Sequence, residues 1–220
     1  MCGRFVVEIP FEDLQKIFTV IEKLDIGPRY NIAPTQQAAI VRSTDDHNEL
    51  VPMKWGLIPS WSKDTKIAAH TINARSETVA EKPAFRHAIK VHRCIVPTSG
   101  FYEWSQKSLP KQPYYIHMAD GSPMCFAGIW EYWKAPDGDP LETFSILTTA
   151  ANELIEPLHD RMPVILHPEN YGLWLDKDML DPKHLEHLYA PYPADQLSMY
   201  RVSPLVNSPR NQGPECIEQI

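Results

Sequence analysis

Apolar residues recur at three- and four-residue intervals near the start of the chain, over residues 10–24. The stretch PFEDLQKIFTVIEKL begins with a proline and spaces its apolar residues as one face of a helix does: Phe11, Leu14, Ile17, Phe18, Ile21 and Leu24. The pattern predicts one amphipathic helix that packs against the rest of the protein.

Most other apolar runs are short, rich in β-branched and aromatic residues, and bounded by Pro, Gly, Asp or Asn. These features are typical of strands. The segments are QQAAIVR (36–42), LVPMKWGLI (50–58), RCIVP (93–97), PYYIHM (113–118), PMCFAGIWEYW (123–133), TFSILTTA (143–150) and PVILH (163–167). We therefore predict at least seven strands, and solvent-facing turns at 43–49 and 135–140.

Three further segments predict short helices, because a proline stands near the start of each. They are KPAFRHAIK (82–90), PENYGLWLDK (168–177) and DPKHLEHLYA (181–190), the last with Asp181 as N-cap and Pro182 at the first helical position. Strands mostly follow strands, and the helices lie outside that run. This order favours an α+β class, with a largely antiparallel sheet or barrel and flanking helices, over a doubly wound parallel sheet.

Length and composition narrow the class of protein further. The chain has 220 residues, 43% of them hydrophobic, and no repeat or composition shift marks a linker, so we expect one domain over 1–220. The formal net charge of −7 argues against a nucleic-acid partner unless a local basic patch provides the surface. No apolar run approaches the ~20 residues that span a bilayer, and the N-terminus lacks a signal-peptide layout.

The four cysteines stand at positions 2, 94, 125 and 216 and form no close pair in the sequence. This spacing encodes neither a zinc site nor a redox motif, and it fits a reducing compartment. Cys2 is nevertheless unusual. If Met1 is removed, Cys2 carries a free amine and a thiol on adjacent carbons, which no internal cysteine can do.

Several polar groups stand where burial would cost free energy, in TINARSE (71–77), RYNIAPT (29–35), SGFYEW (99–104) and LHDRMPV (158–164). A carboxylate among aromatic residues needs a partner or a raised pKa, so Glu103 is either half of a buried structural pair or a catalytic group. His159 is likewise either a structural histidine or a proton shuttle. Together, a terminal nucleophile, a titratable histidine, a half-buried glutamate and the Asn73 amide are the groups that acyl or carbonyl chemistry uses.

The chain resembles the SRAP family, the SOS-response-associated peptidase or abasic-site-processing proteins. The stretches that carry the resemblance are MCGRF, RYNIAPTQ, WGLIPSW, INARSETVAEKPAFR, RCIVPTSGFYEW, LTTAANELIEPLHDRMPVIL and VNSPRNQGPE. The resemblance implies a single-domain α+β fold on a barrel-like antiparallel sheet. It also implies an enzyme of the DNA-damage (SOS) response that loses Met1 and uses the exposed cysteine to trap the aldehyde of an abasic site in single-stranded DNA.

The resemblance also implies which residues act. Its active-site positions fall on Cys2, Asn73, Glu103 and His159, and its DNA-contacting positions fall on Arg4, Pro34, Trp61, Arg75, Thr148 and Arg161. It implies protease and lyase activities at the same site, no cofactor and no metal. The expected protein is a monomer without a membrane partner, located in the cytoplasm, with the nucleoid in a bacterium, or in the nucleus in a eukaryote.

The residue types suit this chemistry. His159, with a reference pKa of ~6.5, can exchange a proton with the sugar ring oxygen, and an α-amine at ~7.7–8.0 is partly unprotonated at neutral pH. The amine then gives a Schiff base, and the neighbouring thiol closes a thiazolidine. The arginines supply local positive charge, and Trp61 is either a stacking face for an unpaired base or a rim aromatic.

Two other functions compete with this interpretation. In the first, the protein is an N-terminal-nucleophile cysteine peptidase in which the α-amine acts as the base and Cys2 attacks an amide of another chain. In the second, it is a non-enzymatic DNA-damage or RNA-binding module with a structural Cys2. The behaviour of Cys2 with abasic DNA separates the three.

Overall fold

The computed structural model of the protein describes residues 2–21, 24, 27–106, 109–135 and 138–220. Its strands are β1 (Phe5–Val7), β2 (Arg29–Ile32), β3 (Gln37–Ser43), β4 (Asn48–Trp55), β5 (Asn73–Arg75), β6 (Arg93–Thr98), β7 (Gly100–Trp104), β8 (Pro113–Met118), β9 (Met124–Lys134), β10 (Pro140–Ala150), β11 (Arg161–Pro163) and β12 (Leu197–Arg201). Its α-helices are α1 (Phe11–Phe18), α2 (Ala88–Val91) and α3 (Tyr171–Leu175). Short 3-10 helices cover Lys66–His70, Ser76–Thr78, Pro168–Asn170, Pro182–Tyr189, Ala194–Gln196, Pro204–Asn207 and Pro214–Cys216.

Five strands close into a barrel in the order β10-β4-β3-β6-β9, because β9 pairs with both β6 and β10. Every neighbouring pair in this barrel is antiparallel except β4 with β10. A second, antiparallel sheet has the order β12-β8-β7-β1-β2. The predicted α+β class, with a mainly antiparallel barrel, is confirmed.

Strand β10 is 11 residues long, and its last residues carry two more strands. β5 pairs with it in parallel, with Asn73 opposite Ile146, and β11 pairs with it antiparallel, with Arg161 opposite Ala150. Thr148 has a register partner on both sides, so β5 and β11 lie on opposite edges of β10. This arrangement brings the polar motifs TINARSE (71–77) and LHDRMPV (158–164) to one end of the sheet.

Both faces of β3, β6, β9 and β10 are buried over most of their length, which explains their continuous apolar sequences. In β3, Ala38 and Ile40 join the core shared with the second sheet, and Ala39 and Val41 join the core under the helices. The first core also contains Cys2. Full burial of each large apolar side chain there stabilises the fold by roughly 1.5–3 kcal/mol.

The predicted N-terminal helix exists but is shorter than the pattern indicates. α1 ends at Phe18, because Thr19 adopts a left-handed conformation (φ 55°) and donates its backbone N–H to Gln15 O. β-branched residues follow at positions 19–21 and disfavour helix continuation. Ile21 is 67% exposed, so its expected place on the buried face is wrong. The predicted segment also includes residues 22 and 23, which lie outside the described part.

Six of the predicted strands are confirmed as β3, β4, β6, β8, β9 and β10. The prediction for PVILH is confirmed only in part, because Pro163 is the last residue of β11 and Ile165 forms an isolated antiparallel bridge with Phe126. The backbone of this segment bonds alternately to two strands, from Val164 N to Leu147 O and from Ala127 N to Val164 O, so it fills the gap between β10 and β9 without forming a continuous ladder. β1, β2, β5, β7 and β12 were not among the predicted strands, because each is three to five residues long and most carry polar residues.

The predicted helical segments are present in reduced form. α2 covers only the end of KPAFRHAIK, and DPKHLEHLYA forms a 3-10 helix whose N-cap Asp181 accepts from Lys183 N, as expected. The turn predicted at 43–49 connects β3 to β4, whereas residues 136 and 137 of the second turn lie outside the described part. All four cysteines are buried free thiols. Within the described ranges, no helix is long and apolar enough to cross a bilayer.

Candidate active site

Cys2 lies just before β1 and is completely buried. Its Sγ is 3.8 Å from the carbonyl oxygen of Arg4, a weak thiol hydrogen bond. Burial raises the pKa of the Cys2 thiol well above its ordinary range, and the charge of Glu103 raises it further. The thiol is therefore neutral at physiological pH. Met1 itself lies outside the described residues.

Asn73 holds the backbone of Cys2. From β5, its Nδ2 donates to the Cys2 carbonyl oxygen at 2.9 Å. Its Oδ1 is buried and has no hydrogen-bond partner among the described residues. A buried acceptor without a partner costs about 1–3 kcal/mol. This oxygen can therefore accept a hydrogen bond from an amine or hydroxyl brought to Cys2.

Glu103 is 3% exposed and lies on β7, the strand beside β1. Tyr102 N donates to Arg4 O at 3.0 Å, so continuing the antiparallel register places Glu103 opposite Gly3. Phe101, two residues earlier on the same strand face, belongs to the core that contains Cys2. The carboxylate is close enough to raise the pKa of the Cys2 thiol.

His159 precedes β11, and its Nδ1 is engaged by the protein. Nδ1 lies 2.9 Å from Arg161 N and 2.8 Å from Asp160 Oδ1. Both contacts use the same ring nitrogen, which leaves Nε2 as the nitrogen available to exchange a proton with a ligand. The side chain is 24% exposed and thus accessible from solvent. The end of β10 links this segment to Asn73 through β5 and β11.

The four residues predicted to form the active site are therefore organised in two groups. Cys2, Asn73 and Glu103 are connected by a hydrogen bond and by electrostatic proximity. His159 lies just before β11, which pairs with the same last residues of β10 that also pair with β5. A neutral thiol, an amide with a free acceptor, a buried carboxylate and an imidazole can together carry out addition to a carbonyl carbon.

Two of the expected DNA-contacting residues lie on exposed surface. Arg75 is exposed on β5, and Trp61 is 60% exposed in the loop after β4. This loop begins at Gly56, where φ is +118° and a Cβ would lie 2.7 Å from Ala68 O, so a glycine is required. Ser60 N and Ser62 O are both anchored to β9, which presents Trp61 between them to solvent.

Arg4 directly precedes β1 of the second sheet, and Pro34 lies in the turn after β2. Pro34 is partly exposed in the turn after β2, next to Thr35 at φ +72°. Arg4 donates to Asn31 Oδ1 at 2.9 Å and to Val206 O at 2.7 Å, and burial lowers its pKa. Part of the Arg4 guanidinium is thus committed to holding the C-terminal segment.

Thr148 does not lie on exposed surface. This residue is completely buried, and its hydroxyl lies 3.5 Å from Ala74 O. Arg161 is also occupied. It forms a bidentate pair with Glu77 at 2.6 and 2.9 Å, donates to Thr148 O at 2.6 Å, and its side chain is only 12% exposed.

Two residues of the motifs have structural roles that the sequence analysis did not assign. Asn31 is completely buried and shares its amide hydrogens among the carbonyls of Val206, Ser208 and Asn211. Glu77 neutralises Arg161, whose hydrogen bond lowers the pKa of the Glu77 carboxyl. The buried role of Asn31 could have been inferred, because this polar residue stands inside a short apolar stretch. The residues around Glu77 in the sequence give no indication that its partner is Arg161.

The chain is similar to known proteins over nearly its whole length. The sequence model of the family described as SOS response associated peptidase (SRAP) matches residues 1–209. The chain is 45% identical over 222 residues to the abasic site processing protein YoqW of Bacillus subtilis (strain 168), with 99% of each chain covered. It is 33% identical over 228 residues to the abasic site processing protein YedK of Escherichia coli (strain K12), with 100% of each covered.

More distant relatives show the same similarity. The abasic site processing protein HMCES of Mus musculus is 33% identical over 268 residues, which cover 99% of this chain and 75% of that protein. A crystal structure of a protein from Bacteroides thetaiotaomicron superposes with a TM-score of 0.90 at 30% identity, covering 100% of both chains. The barrel and second sheet described above are thus shared with an experimentally determined structure.

Proposed function

This chain belongs to the SOS response associated peptidase (SRAP) family, and from that membership we propose that it processes abasic sites in single-stranded DNA through a covalent bond to Cys2. Removal of Met1 gives Cys2 a free α-amine beside its thiol. The two nucleophiles capture the aldehyde of the damaged sugar and close a thiazolidine. The resulting DNA–protein crosslink shields the lesion.

The observation that carries this proposal is the hydrogen bond from Asn73 to the Cys2 carbonyl oxygen, next to the Asn73 acceptor without a partner. The bond orients the whole residue, so the amine and thiol stay in one geometry while they react. Asn73 Oδ1 can accept from the amine or from a sugar hydroxyl. A purely structural cysteine would not need an oriented backbone and an unused buried acceptor beside it.

The order of bond formation follows from the protonation states. The thiol pKa is raised, so the thiol is neutral and weakly nucleophilic, and the amine attacks first. The amine nitrogen bonds to the aldehyde carbon, and the aldehyde oxygen leaves as water to give an imine. The sulfur then adds to the imine carbon, and the thiol proton ends on the ring nitrogen.

His159 and Glu103 move the protons in this sequence. His159 Nε2 exchanges a proton with the ring oxygen of the closed sugar and so exposes the aldehyde. Glu103 relays the two amine protons in turn to the aldehyde oxygen, which leaves as water. It then carries the thiol proton to the ring nitrogen during ring closure. The same carboxylate can reopen the thiazolidine, because acid–base catalysis works in both directions.

Trp61 and Arg75 form the exposed part of the proposed DNA interface, with Pro34 and the free donors of Arg4 at its second-sheet side. Trp61 stacks on an unpaired base, and Arg75 contacts phosphate. Thr148 acts indirectly, by holding Ala74 and Arg161 in place. Arg161 joins the interface only when Glu77 releases it.

The remaining expectations complete the proposal. The site itself removes Met1, which would be the peptidase activity in the family's name, and an imine that the thiol fails to trap allows strand cleavage by β-elimination. One domain over 1–220 acts as a monomer in DNA-damage (SOS) repair and needs no cofactor for the Cys2 chemistry. The cytoplasm, or the nucleus in a eukaryote, is the compartment where that DNA is available.

The test is to incubate the protein with a single-stranded oligonucleotide that carries one abasic site, followed by a denaturing gel and intact-mass measurement. We expect a mass that equals the chain without Met1 plus the oligonucleotide minus water. Cys2→Ser should keep transient imine formation, which borohydride traps, but lose the stable adduct. Cys216→Ser is the matched control at another buried thiol and should behave as wild type.

Three results would each overturn the proposal. One is a stable adduct in protein that retains Met1, because the amine would then be blocked. Another is the absence of any adduct with intact abasic DNA while peptides of other chains are cut, which would support the cysteine-peptidase alternative. A Cys2→Ala variant that forms the adduct as wild type does would instead leave only a binding module.

A further inference from the structure

Two histidines and one buried glutamate converge at a place that the Cys2 chemistry does not use. His87 Nδ1 lies 3.2 Å and His92 Nδ1 lies 2.7 Å from the same oxygen, Glu131 Oε1. His87 directly precedes the single-turn helix α2 and His92 directly follows it, so the turn brings both rings to β9. We propose that His87, His92 and Glu131 form a binding site for a divalent transition-metal ion of the Zn²⁺ class.

The donor set and its spacing fit such an ion. Zn²⁺ takes imidazole nitrogens and carboxylate oxygens at about 2.0–2.2 Å, so neighbouring ligands of a tetrahedral ion lie about 3.3 Å apart. The His87 separation of 3.2 Å matches this value, the His92 separation of 2.7 Å is shorter, and the candidate ligand atoms of the three residues lie within 4.8 Å of one another. Coordination requires that each Nδ1 loses its proton and that the ligand atoms rearrange around the ion.

Neighbouring residues already hold Glu131 and His92 in fixed orientations. Ser60 N lies 3.3 Å from the second carboxylate oxygen of Glu131. The His92 ring packs on Trp130 with 4.3 Å between centroids, and the Arg42 guanidinium lies 4.5 Å from the Trp130 ring. Outer contacts of this kind fix ligand orientation and typically change metal affinity 10–100-fold when removed.

Exposure and charge also favour an ion. The Glu131 side chain is 5% exposed and that of His87 is 64% exposed, so the carboxylate is buried while one side of the cluster is open to solvent. With neutral histidines the buried carboxylate keeps its full negative charge, which a divalent cation compensates. The open side can accept water as a fourth ligand, as in sites with three protein ligands.

The test is a Zn²⁺ titration of the full chain after chelator treatment, in competition with a chromophoric chelator. A terminal cysteine is itself a chelator, so the titration uses the Cys2→Ser background. We expect one ion per chain, with an affinity that falls at least tenfold in His87→Gln and in His92→Gln. His184→Gln, an exposed histidine outside the cluster, should leave the affinity unchanged.

A second measurement separates a lost site from a damaged fold. Zn²⁺ should raise the melting temperature of the chelator-treated protein but not that of the two histidine variants, because an ion that binds only the native state stabilises it. Without added metal, the exposed His87→Gln variant should melt as its parent does. Equal Zn²⁺ affinity in parent and both variants, or no binding in the parent, would overturn the proposal.

Discussion

The side-chain amide of Asn73 donates to the carbonyl oxygen of Cys2 at 2.9 Å. This bond joins β5, which is fixed by its pairing with β10, to the segment before β1 in the other sheet. The proposed nucleophile therefore owes its position to the contact between the barrel and the second sheet. In the proposed reaction, activity and the packing of the two sheets are coupled through these two residues.

Asn73→Ala should slow adduct formation about tenfold and leave binding to undamaged single-stranded DNA unchanged. The lost hydrogen bond is worth about 0.5–1.5 kcal/mol, and 1.4 kcal/mol in a barrier is a factor of ten in rate. Asn73→Asp should be slower still, because a carboxylate oxygen then faces the Cys2 carbonyl. The measurement is a time course on denaturing gels at saturating DNA.

Asn48→Ala serves as the control for this prediction. Asn48 Nδ2 donates to Phe18 O at 3.0 Å, so it also makes one side-chain-to-backbone bond, on the barrel surface near α1. Its removal should leave the adduct rate at the wild-type value. Equal rates for both asparagine variants would mean that the bond to Cys2 has no role in the reaction.

Glu103→Gln should slow adduct formation by about 10²-fold or more, which is typical for loss of a general acid–base group. The amide has the same shape but cannot accept a proton at neutral pH. Glu103→Asp keeps the carboxylate and should recover part of the rate. The check is the same time course together with a separate binding isotherm. A Glu103→Gln variant with normal rates would reduce Glu103 to a structural role.

The sequence predicted the barrel strands better than the strands that build the site. β3, β6, β9 and β10 are long and apolar because both of their faces are buried, so their pattern is strong. β5 and β7 contain Asn73 and Glu103, and polar residues interrupt their alternation. The residues proposed to carry the chemistry thus weaken the signal that would have located them.

The sequence also could not predict side-chain hydrogen bonds between residues that are far apart in the chain. Glu77 and Arg161 are 84 positions apart, and Asn31 and Val206 are 175 apart. Local patterns give residue types and periods but not which polar groups meet once the strands are ordered. The family resemblance supplied positions for Arg161 and Thr148, yet only the structure shows that one is paired and the other buried.

Trp61→Ala should weaken binding to single-stranded DNA by about 1–3 kcal/mol, the usual value of one base–aromatic stack. The adduct rate at saturating DNA should not change, because Trp61 lies outside the group around Cys2. Stability should also be kept, since the side chain is 60% exposed. Fluorescence anisotropy with an undamaged oligonucleotide measures the effect.

Tyr132→Ala is the matched control for Trp61. Tyr132 is an aromatic residue on β9 with 46% exposure and no proposed DNA contact. Its removal should leave the affinity unchanged. A similar loss in both variants would indicate non-specific binding to exposed aromatic surface.

Asn31→Ala should destabilise the protein by about 3 kcal/mol and loosen the segment over residues 204–212. The substitution leaves buried carbonyls and the Arg4 guanidinium without their partner, and each such group costs about 1–3 kcal/mol. Urea unfolding gives the stability, and the rate of trypsin cleavage after Arg210 shows how mobile the segment is.

Asn207→Ala is the control on the same segment. It removes only one exposed hydrogen bond, which Asn207 accepts from the Trp104 indole, and it should cost less than 1 kcal/mol. Equal effects would remove Asn31 as the anchor.

Glu77→Gln should strengthen binding to single-stranded DNA severalfold at low salt. The carboxylate holds the Arg161 guanidinium in a bidentate pair, and a neutral amide would leave that charge available to a phosphate. One additional phosphate contact should steepen the dependence of log affinity on log salt by about 0.7. Glu81→Gln makes the same charge change at an exposed position nearby and should leave the salt slope unchanged.

The pH dependence of stability provides an independent check on the same pair. The hydrogen bond from Arg161 lowers the pKa of the Glu77 carboxyl in the folded protein. The stabilising contribution is therefore present above the unfolded-state value of about 4.3 and is lost as the pH falls through the lower folded value. The urea midpoints of wild type and Glu77→Gln should differ by a constant amount between about pH 5 and pH 7, and converge only in more acidic solution. Convergence near neutral pH would mean that Glu77 is not ionised against Arg161, and the release of Arg161 to DNA would then have no basis.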